Sequence, residues 1–523
     1  MKSPAKTLRN LAYSSANVYA EYVLGLLVSI IVARSLGPEE FGVYAFVIWL
    51  VAFGVIMVNA GVSIGAIKFF ADLLGRKRND EIGALHAHLS RIQVIRAVIF
   101  VAAFSLLVLL SPDLLVLPSY SSVLWFVGPA VFLRSYYMYQ VGVIKGLQDF
   151  GYLAKIAFIV SPINLTLVFV VYYLVPSVEG FLTVFLVASI LFWLASSSAR
   201  RSAIASVHEV PAEPVELKAD LRRRISSHLR IVSLIVFFSF VIFGQSELMF
   251  LKHFSIPSDI AYFSVGYTLA AAATAMVPGV YDNLLLSKIS FSVADSETSA
   301  GDAVITSARH MLLLGSLISI PIIIYADDVI LLFYGESYLP AARVLQVMTF
   351  LSIFKGIRDT TNAYLMSADR QLSILKILTI AAVSTIALDY YLISTYGLWG
   401  AVLAYAAVDL AVTIVVSVYT FSILKQWPGG WKTAKTVSAG LLAAAVTICF
   451  DHFVSFNLSF LVGGTICLVV FLSLLFVFDS LEREDYLGLK QLLGNLDSPI
   501  ANFTRRMVDK GLVRNPHYRQ RVG

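Results

Sequence analysis

Arginine and lysine are costly in the middle of a lipid bilayer, yet this chain carries three such cations in apolar sequence. Arg134 lies within WFVGPAVFLRSYYMYQVGVI, and Lys355 and Arg358 lie within FLSIFKGIRDTTNAYL. A cation at the bilayer centre costs about 2.5–3.5 kcal/mol on insertion scales, so it faces a polar interior, a partner or a ligand. Arginine presents a planar fork that matches phosphate oxygens in pairs, and lysine presents a point charge. The chemistry such side chains support is the binding of a polyanion. Tyr136, Tyr137, Tyr139 and Tyr152 follow nearby, and aromatic rings stack on sugar faces, although tyrosine also anchors helices at the membrane interface. Tyr137 is the candidate among them. The competing account is a set of intramembrane salt bridges, Lys355 or Arg358 with Asp359, and Arg134 with Glu21 or Glu247.

Carboxylates recur in the same apolar stretches: Glu21, Glu247, Asp282, Asp389 and Asp409. A desolvated carboxylate can hold a proton or a sodium ion. Asp282 and Asp389 fall near the ends of their stretches, where hydration is expected. Glu21 and Glu247, each in the first apolar stretch of one half of the chain, are the ion-coupling candidates. No catalytic constellation accompanies them. His86 and His88 are two apart, the wrong spacing for one helical face. Gly-rich phosphate loops, HExxH and GxSxG are missing from the sequence. Cys449 and Cys467 sit in apolar sequence, so neither a disulfide framework nor a metal site is expected. The chain reads as a non-enzyme with no cofactor and no nucleic-acid partner.

The elements that must position these residues are membrane helices. Mean hydropathy is +0.81, 58% of residues are hydrophobic, and 14% are charged against the roughly 25% usual in soluble domains. Apolar stretches near the ~20 residues that cross a hydrocarbon core recur from Ser14 to Phe478. They predict about fourteen transmembrane helices in an all-α polytopic protein. Six lie near 14–33, 41–63, 92–110, 121–143, 154–175 and 180–199. Six more lie near 230–251, 260–282, 310–326, 341–366, 374–394 and 398–423, the ninth span being short and broken by Pro321. Two further spans, near 433–453 and 457–478, have no counterpart in the first half. The first span is too long for a signal-peptide core and is expected to stay uncleaved.

The halves resemble one another at an offset of about 220 residues. GPEEFGVYAFVIWL around Pro38 matches IPSDIAYFSVGYTL around Pro257. Lys68 falls opposite Lys288, Arg134 opposite Lys355, Lys155 opposite Lys376, and Gly180 opposite Gly400. Six spans per unit is even, so the repeats are parallel, forming two lobes around a central cavity into which Arg134 and Lys355 would both point. Lys68 joins the candidate polyanion contacts. Most Lys and Arg fall on the side of both termini, so the positive-inside rule places those termini in the cytoplasm. The expected organisation is an N-terminal lobe at 1–205, a solvated cytoplasmic connector at 206–229, a C-terminal lobe at 230–424, two extra helices at 425–480, and a basic tail at 481–523.

ARSLGPEEFGVYAF at Ala33–Phe46, FYGESYLPAARVLQVM at Phe333–Met348, TYGLWGAVLAYA at Thr395–Ala406 and LEREDYLGLKQLL at Leu481–Leu493 resemble the polysaccharide-biosynthesis flippases. These belong to the multidrug/oligosaccharidyl-lipid/polysaccharide (MOP) exporter superfamily. Glu247 departs from the aspartate common in such proteins but keeps the carboxylate. The resemblance implies alternating access and a cargo of polyprenyl-(pyro)phosphate-linked oligosaccharide, moved from the cytoplasmic to the outer leaflet of the cell membrane. It implies membrane lipids, a proton or sodium ion and other glycan-assembly proteins as partners of a monomer. A peptidoglycan lipid-precursor flippase or a cation-coupled multidrug exporter of the same superfamily is the alternative. A membrane glycosyltransferase or polymerase fits less well, because the outer loops are short.

Overall fold

The computed structural model describes residues 4–112, 115, 118–206, 217–276, 285, 289, 292–293, 296–453, 459–478 and 480, with no side chains described at 4–21, 118–119, 297, 430–433, 453 and 459. Among the described residues the chain is helical throughout, with no strand. The first half comprises α1 (Pro4–Asn59), α2 (Val62–Gly75), α3 (Ile82–Leu110), α4 (Val127–Gly146), α5 (Phe150–Leu174) and α6 (Val178–Ala205). The second comprises α7 (Ala219–Phe243), α8 (Glu247–Phe254), α9 (Pro257–Met276), α10 (Glu297–Ile324), α11 (Ala326–Phe333), α12 (Ala341–Ser367), α13 (Gln371–Tyr396) and α14 (Leu398–Leu424). α15 (Gly430–Phe453) and α16 (Ser459–Val477) complete the chain.

Ten helical segments among the described residues are long and apolar enough to cross a membrane. α4, α9 and α12 are of comparable length, at 20, 20 and 27 residues, but fall outside those ten. α12 carries Arg343, Lys355, Arg358 and Asp359, and α4 carries Arg134 and Lys145, so these helices are the more polar ones. α1 is 56 residues long, about 84 Å at 1.5 Å per residue, far more than a ~30 Å core requires. It bends at Gly37, whose φ of 71° is a conformation glycine adopts without steric penalty, and Pro38 restarts the helix. α10 differs from the expected short span. It runs 28 residues with Pro321 inside its last turn, so the proline does not break it.

The internal repeat reappears in the backbone. α5 and α13, and likewise α6 and α14, begin 220–221 positions apart. The turns preceding α5 and α13 place Gln148 (φ 62°) and Asp369 (φ 56°) in the left-handed region, 221 positions apart. The halves meet at the end rich in acidic residues. There Tyr338 Oη donates to the Ala33 carbonyl at 2.7 Å, and Arg34 Nε donates to the Phe333 carbonyl at 2.8 Å. A Cβ at Gly42 would overlap the Pro257 carbonyl, so only glycine lets α1 and α9 cross this closely.

The connector is not wholly a solvated linker. Leu217, Leu221, Ile225 and Leu229 recur every four residues and are buried against Phe69, Phe70 and Leu85 of the first half. α7 therefore starts on the first half at the basic end and finishes against α13 of the second. The arginines Arg222, Arg223 and Arg224 occupy its exposed face.

Candidate functional site

A cavity of about 430 Å³ lies between α1, α7, α9, α12 and α14. Its cationic wall comes from one face of α12, where Ser352, Lys355 and Arg358 follow at helical three-residue spacing. Tyr267 and Tyr405 also line it, and among the described residues Tyr22 is the contribution of the first half.

The two cations of α12 are held differently. Arg358 is 7% exposed and donates to Asp409 of α14, and at 3.2 Å to Thr413 Oγ1. Its guanidinium lies 4.2 Å from the centre of the Phe243 ring. A buried ion pair of this kind costs desolvation on both sides, and the extra hydroxyl and aromatic contacts offset part of it. Lys355 is 41% exposed and pairs with Asp359 one turn on, at 2.5 Å. The salt-bridge account thus describes Lys355 with Asp359, whereas Arg358 takes Asp409 as its partner.

Arg134 is not among the cavity-lining residues. Its Nε donates to Ser189 Oγ of α6 at 2.8 Å, and its guanidinium lies over Phe185 and Phe192. Ser189 and Asp409 are 220 positions apart, so the guanidiniums of α4 and α12 are directed to the same repeat position, on α6 and α14. The positions of α4 that match Met348, Leu351 and Ser352 are Val127, Ala130 and Val131, all buried. Gly54 of α1 approaches Val131 closely there, so packing closes the face that stays open on α12. Tyr137 packs on Phe192 at 5.2 Å, and Lys68 sits at the basic end, 3.4 Å from His228 Nδ1. Neither lines the cavity. Glu21, by side chain, and Asp282 and Lys288 lie outside the described residues.

Helix α7 ends at Phe243, and α8 restarts at Glu247 after Gln245 at φ 61°. A helix broken inside a membrane leaves carbonyls that need donors. Three side chains supply them: Ser246 Oγ to Val241 at 2.7 Å, Tyr267 Oη to Phe243 at 2.6 Å, and Trp49 Nε1 to Gly244 at 2.6 Å. The break also assembles a pair of carboxylates. Ser246 Oγ reaches Asp389 Oδ2 at 3.1 Å, and the adjacent Glu247 is buried close enough to Asp389 for the two charges to repel. Among the described residues, both Glu247 oxygens and Asp389 Oδ1 are buried with no hydrogen-bond partner. Asp389 is fully buried, which corrects its expected hydration near a span end. The Ser246 turn, 143 positions away in sequence, folds over it.

Elsewhere in the first half, His86 Nδ1 lies 2.6 Å from Tyr139 Oη, and Arg200 meets its other ring nitrogen. This His86–Tyr139–Arg200 network ties α3, α4 and α6 together. Among the described residues no cluster of three or more His, Cys, Asp or Glu side chains is arranged to hold a metal ion.

Solved structures share this architecture. The lipid II flippase MurJ in an inward closed conformation superposes with a TM-score of 0.69 at 16% identity, covering 89% of this chain and 98% of that one. An inward-facing multidrug resistance MATE family transporter of the MOP superfamily gives 0.62 at 15% identity, covering 77% and 94%. A MATE structure in complex with MaL6 gives 0.57 at 14% identity, covering 80% and 96%. At these identities the likeness is one of fold. A search of curated proteins found no match. Residues 31–343, more than half of the sequence, match the family model described as polysaccharide biosynthesis protein. With that match over a MurJ- and MATE-like fold, the chain belongs to the polysaccharide biosynthesis protein family.

Proposed function

We propose that this protein is a flippase that carries a polyprenyl-(pyro)phosphate-linked oligosaccharide from the cytoplasmic to the outer leaflet by alternating access. The observation that carries the reading is the exposed ammonium of Lys355 on the cavity wall, in a chain of the polysaccharide biosynthesis family. Lys355 can exchange Asp359 for a phosphate at small cost, because half-exposed ion pairs are worth little. Arg358, committed to Asp409 and buried, serves the site by orienting the wall. Tyr405 offers a ring face and a hydroxyl to sugars, and Tyr267, whose hydroxyl donates to the Phe243 carbonyl, offers a ring face. Arg134, Lys68 and Tyr137 enter this reading as contacts of another stage of the cycle, when the packed face of α4 opens.

The carboxylate pair Glu247 and Asp389 is the coupling site in this reading, since two desolvated carboxylates with unpaired oxygens suit a proton or a sodium ion. Glu21 remains a second candidate by sequence. The basic end faces the cytoplasm of a cell membrane, both termini lie on that side, and the protein works as a monomer beside other glycan-assembly proteins.

Deleting the gene should strand lipid-linked oligosaccharide in the cytoplasmic leaflet, read by its inaccessibility to outside-added glycosidase in spheroplasts. Complementation with the wild-type gene should release it, and a Lys355→Ala gene should not, despite normal insertion. Accumulation of lipid-linked peptidoglycan precursor instead would favour the MurJ-type cargo. Undisturbed lipid-linked saccharides with drug sensitivity would favour the exporter reading.

A further inference from the structure

A second groove, of about 240 Å³, opens away from the central cavity, on the outer face of the first half between α5 and α6. On α5 it is lined by Tyr152, Lys155 and Ile159, and on α6 by Ser198, Ala199 and Ser202. Each set follows the three-and-four spacing of one helical stripe. The α6 stripe is made of small side chains, which leave the space. Lys155 heads the groove at the basic end, exposed and 5.5 Å from the centre of the Tyr152 ring. Below it Ile159 is 61% exposed, on a face that meets hydrocarbon in a membrane. Arg201 is exposed on the neighbouring turn of α6.

The repeat provides an internal comparison. The second-half counterparts of Lys155 and Ile159 are Lys376 and Ile380, so the cation and the apolar residue below it are kept. Of the small residues only Ser202 is kept, as Ser422. Ser198 and Ala199 correspond to Val418 and Tyr419, and Tyr419 Oη reaches across to Ser373 Oγ at 2.9 Å, bridging the two helices. The same helix pair is filled by its own side chains in one half and left grooved in the other.

We infer that the α5–α6 groove is a binding site for an anionic phospholipid of the leaflet at the basic end. Its headgroup phosphate sits at Lys155, and one acyl chain lies along Ile159 and the small residues of α6. A cation at the headgroup end of an apolar slot complements a lipid with a charged head and a hydrocarbon tail. The inference is independent of the cargo in the central cavity.

The test is native mass spectrometry of the purified full chain titrated with phosphatidylglycerol or phosphatidylcholine of matched acyl chains. Wild-type protein should hold phosphatidylglycerol at least about fivefold more tightly, the change that one juxtamembrane cation carries. Lys155→Ala should remove that preference, while Lys376→Ala should keep it. Ala199→Tyr should fill the slot as Tyr419 does and abolish the tight lipid, and Ser198→Val serves in its place if that variant does not fold. Equal binding of the two lipids by wild type overturns the proposal. So does an unchanged preference in Lys155→Ala, or full retention of the lipid after the slot is filled.

Discussion

Removing the carboxylate of Asp409 should damage this protein's stability far more than removing the ammonium of Lys355. Arg358 and Asp409 are 7% and 4% exposed, so neither charge recovers much solvent if its partner is lost. Breaking one side of a buried pair typically costs about 3–5 kcal/mol. The Phe243 ring and Thr413 hydroxyl remain to Arg358 but do not neutralise it. Lys355 and Asp359 are 41% and 28% exposed and form an i,i+4 pair, worth about 0.3–0.5 kcal/mol after solvent screening. The two variants should thus differ about tenfold in destabilisation. Asp409→Ala, Lys355→Ala and the double variant Arg358→Met with Asp409→Leu would be melted in detergent, following intrinsic fluorescence. Asp409→Ala should lose most of its apparent stability, while Lys355→Ala should melt near wild type. The double variant should recover, because well-packed apolar residues replace a buried pair at little cost. An Asp409→Ala protein as stable as Lys355→Ala, or a double variant as weak as the single, would refute this account of the α12–α14 seam.

The carboxylate pair should govern coupling: Glu247→Gln and Asp389→Asn should each reduce the response of transport to uncoupler or sodium removal, and an unchanged response in both would make the pair structural. Gly42→Val should prevent the close crossing of α1 and α9, because its side chain would overlap the Pro257 carbonyl, and so lower the melting midpoint in detergent. Trp49→Phe should leave the half-buried Gly244 carbonyl without its donor, at about 0.5–1.5 kcal/mol, and lower the melting midpoint accordingly. Reporter fusions after Arg76 and Ala219 should both report the cytoplasm and one at Glu336 the outside; an outside signal at Ala219 would contradict a parallel repeat.

The helical class, the repeat and its register follow from local sequence, because length, apolar content and turn chemistry act within a few residues. The matched turns at Gln148 and Asp369, and the matched starts of α5 with α13 and α6 with α14, fall where the repeated sequence puts them. The seating of α7 on the first half was also legible, since Leu217, Leu221, Ile225 and Leu229 form a four-residue stripe within a basic segment. The charges around it read as a linker and masked that stripe. The intramembrane cations were visible too, but not the direction each one faces. Equivalence of Arg134 and Lys355 suggested one shared cavity, whereas Val127, Ala130 and Val131 pack the matching face of α4 against α1. That outcome depends on the volumes of neighbours from other helices, which no local pattern encodes. The partner of Arg358 lies 51 positions away and the Ser246 turn over Asp389 lies 143 positions away. Sequence alone therefore determined which ionisable groups enter the membrane. Tertiary packing decided which of them pair, which stay buried without a partner and which reach the cavity, because solvation and Coulomb terms depend on distances that only the folded bundle sets.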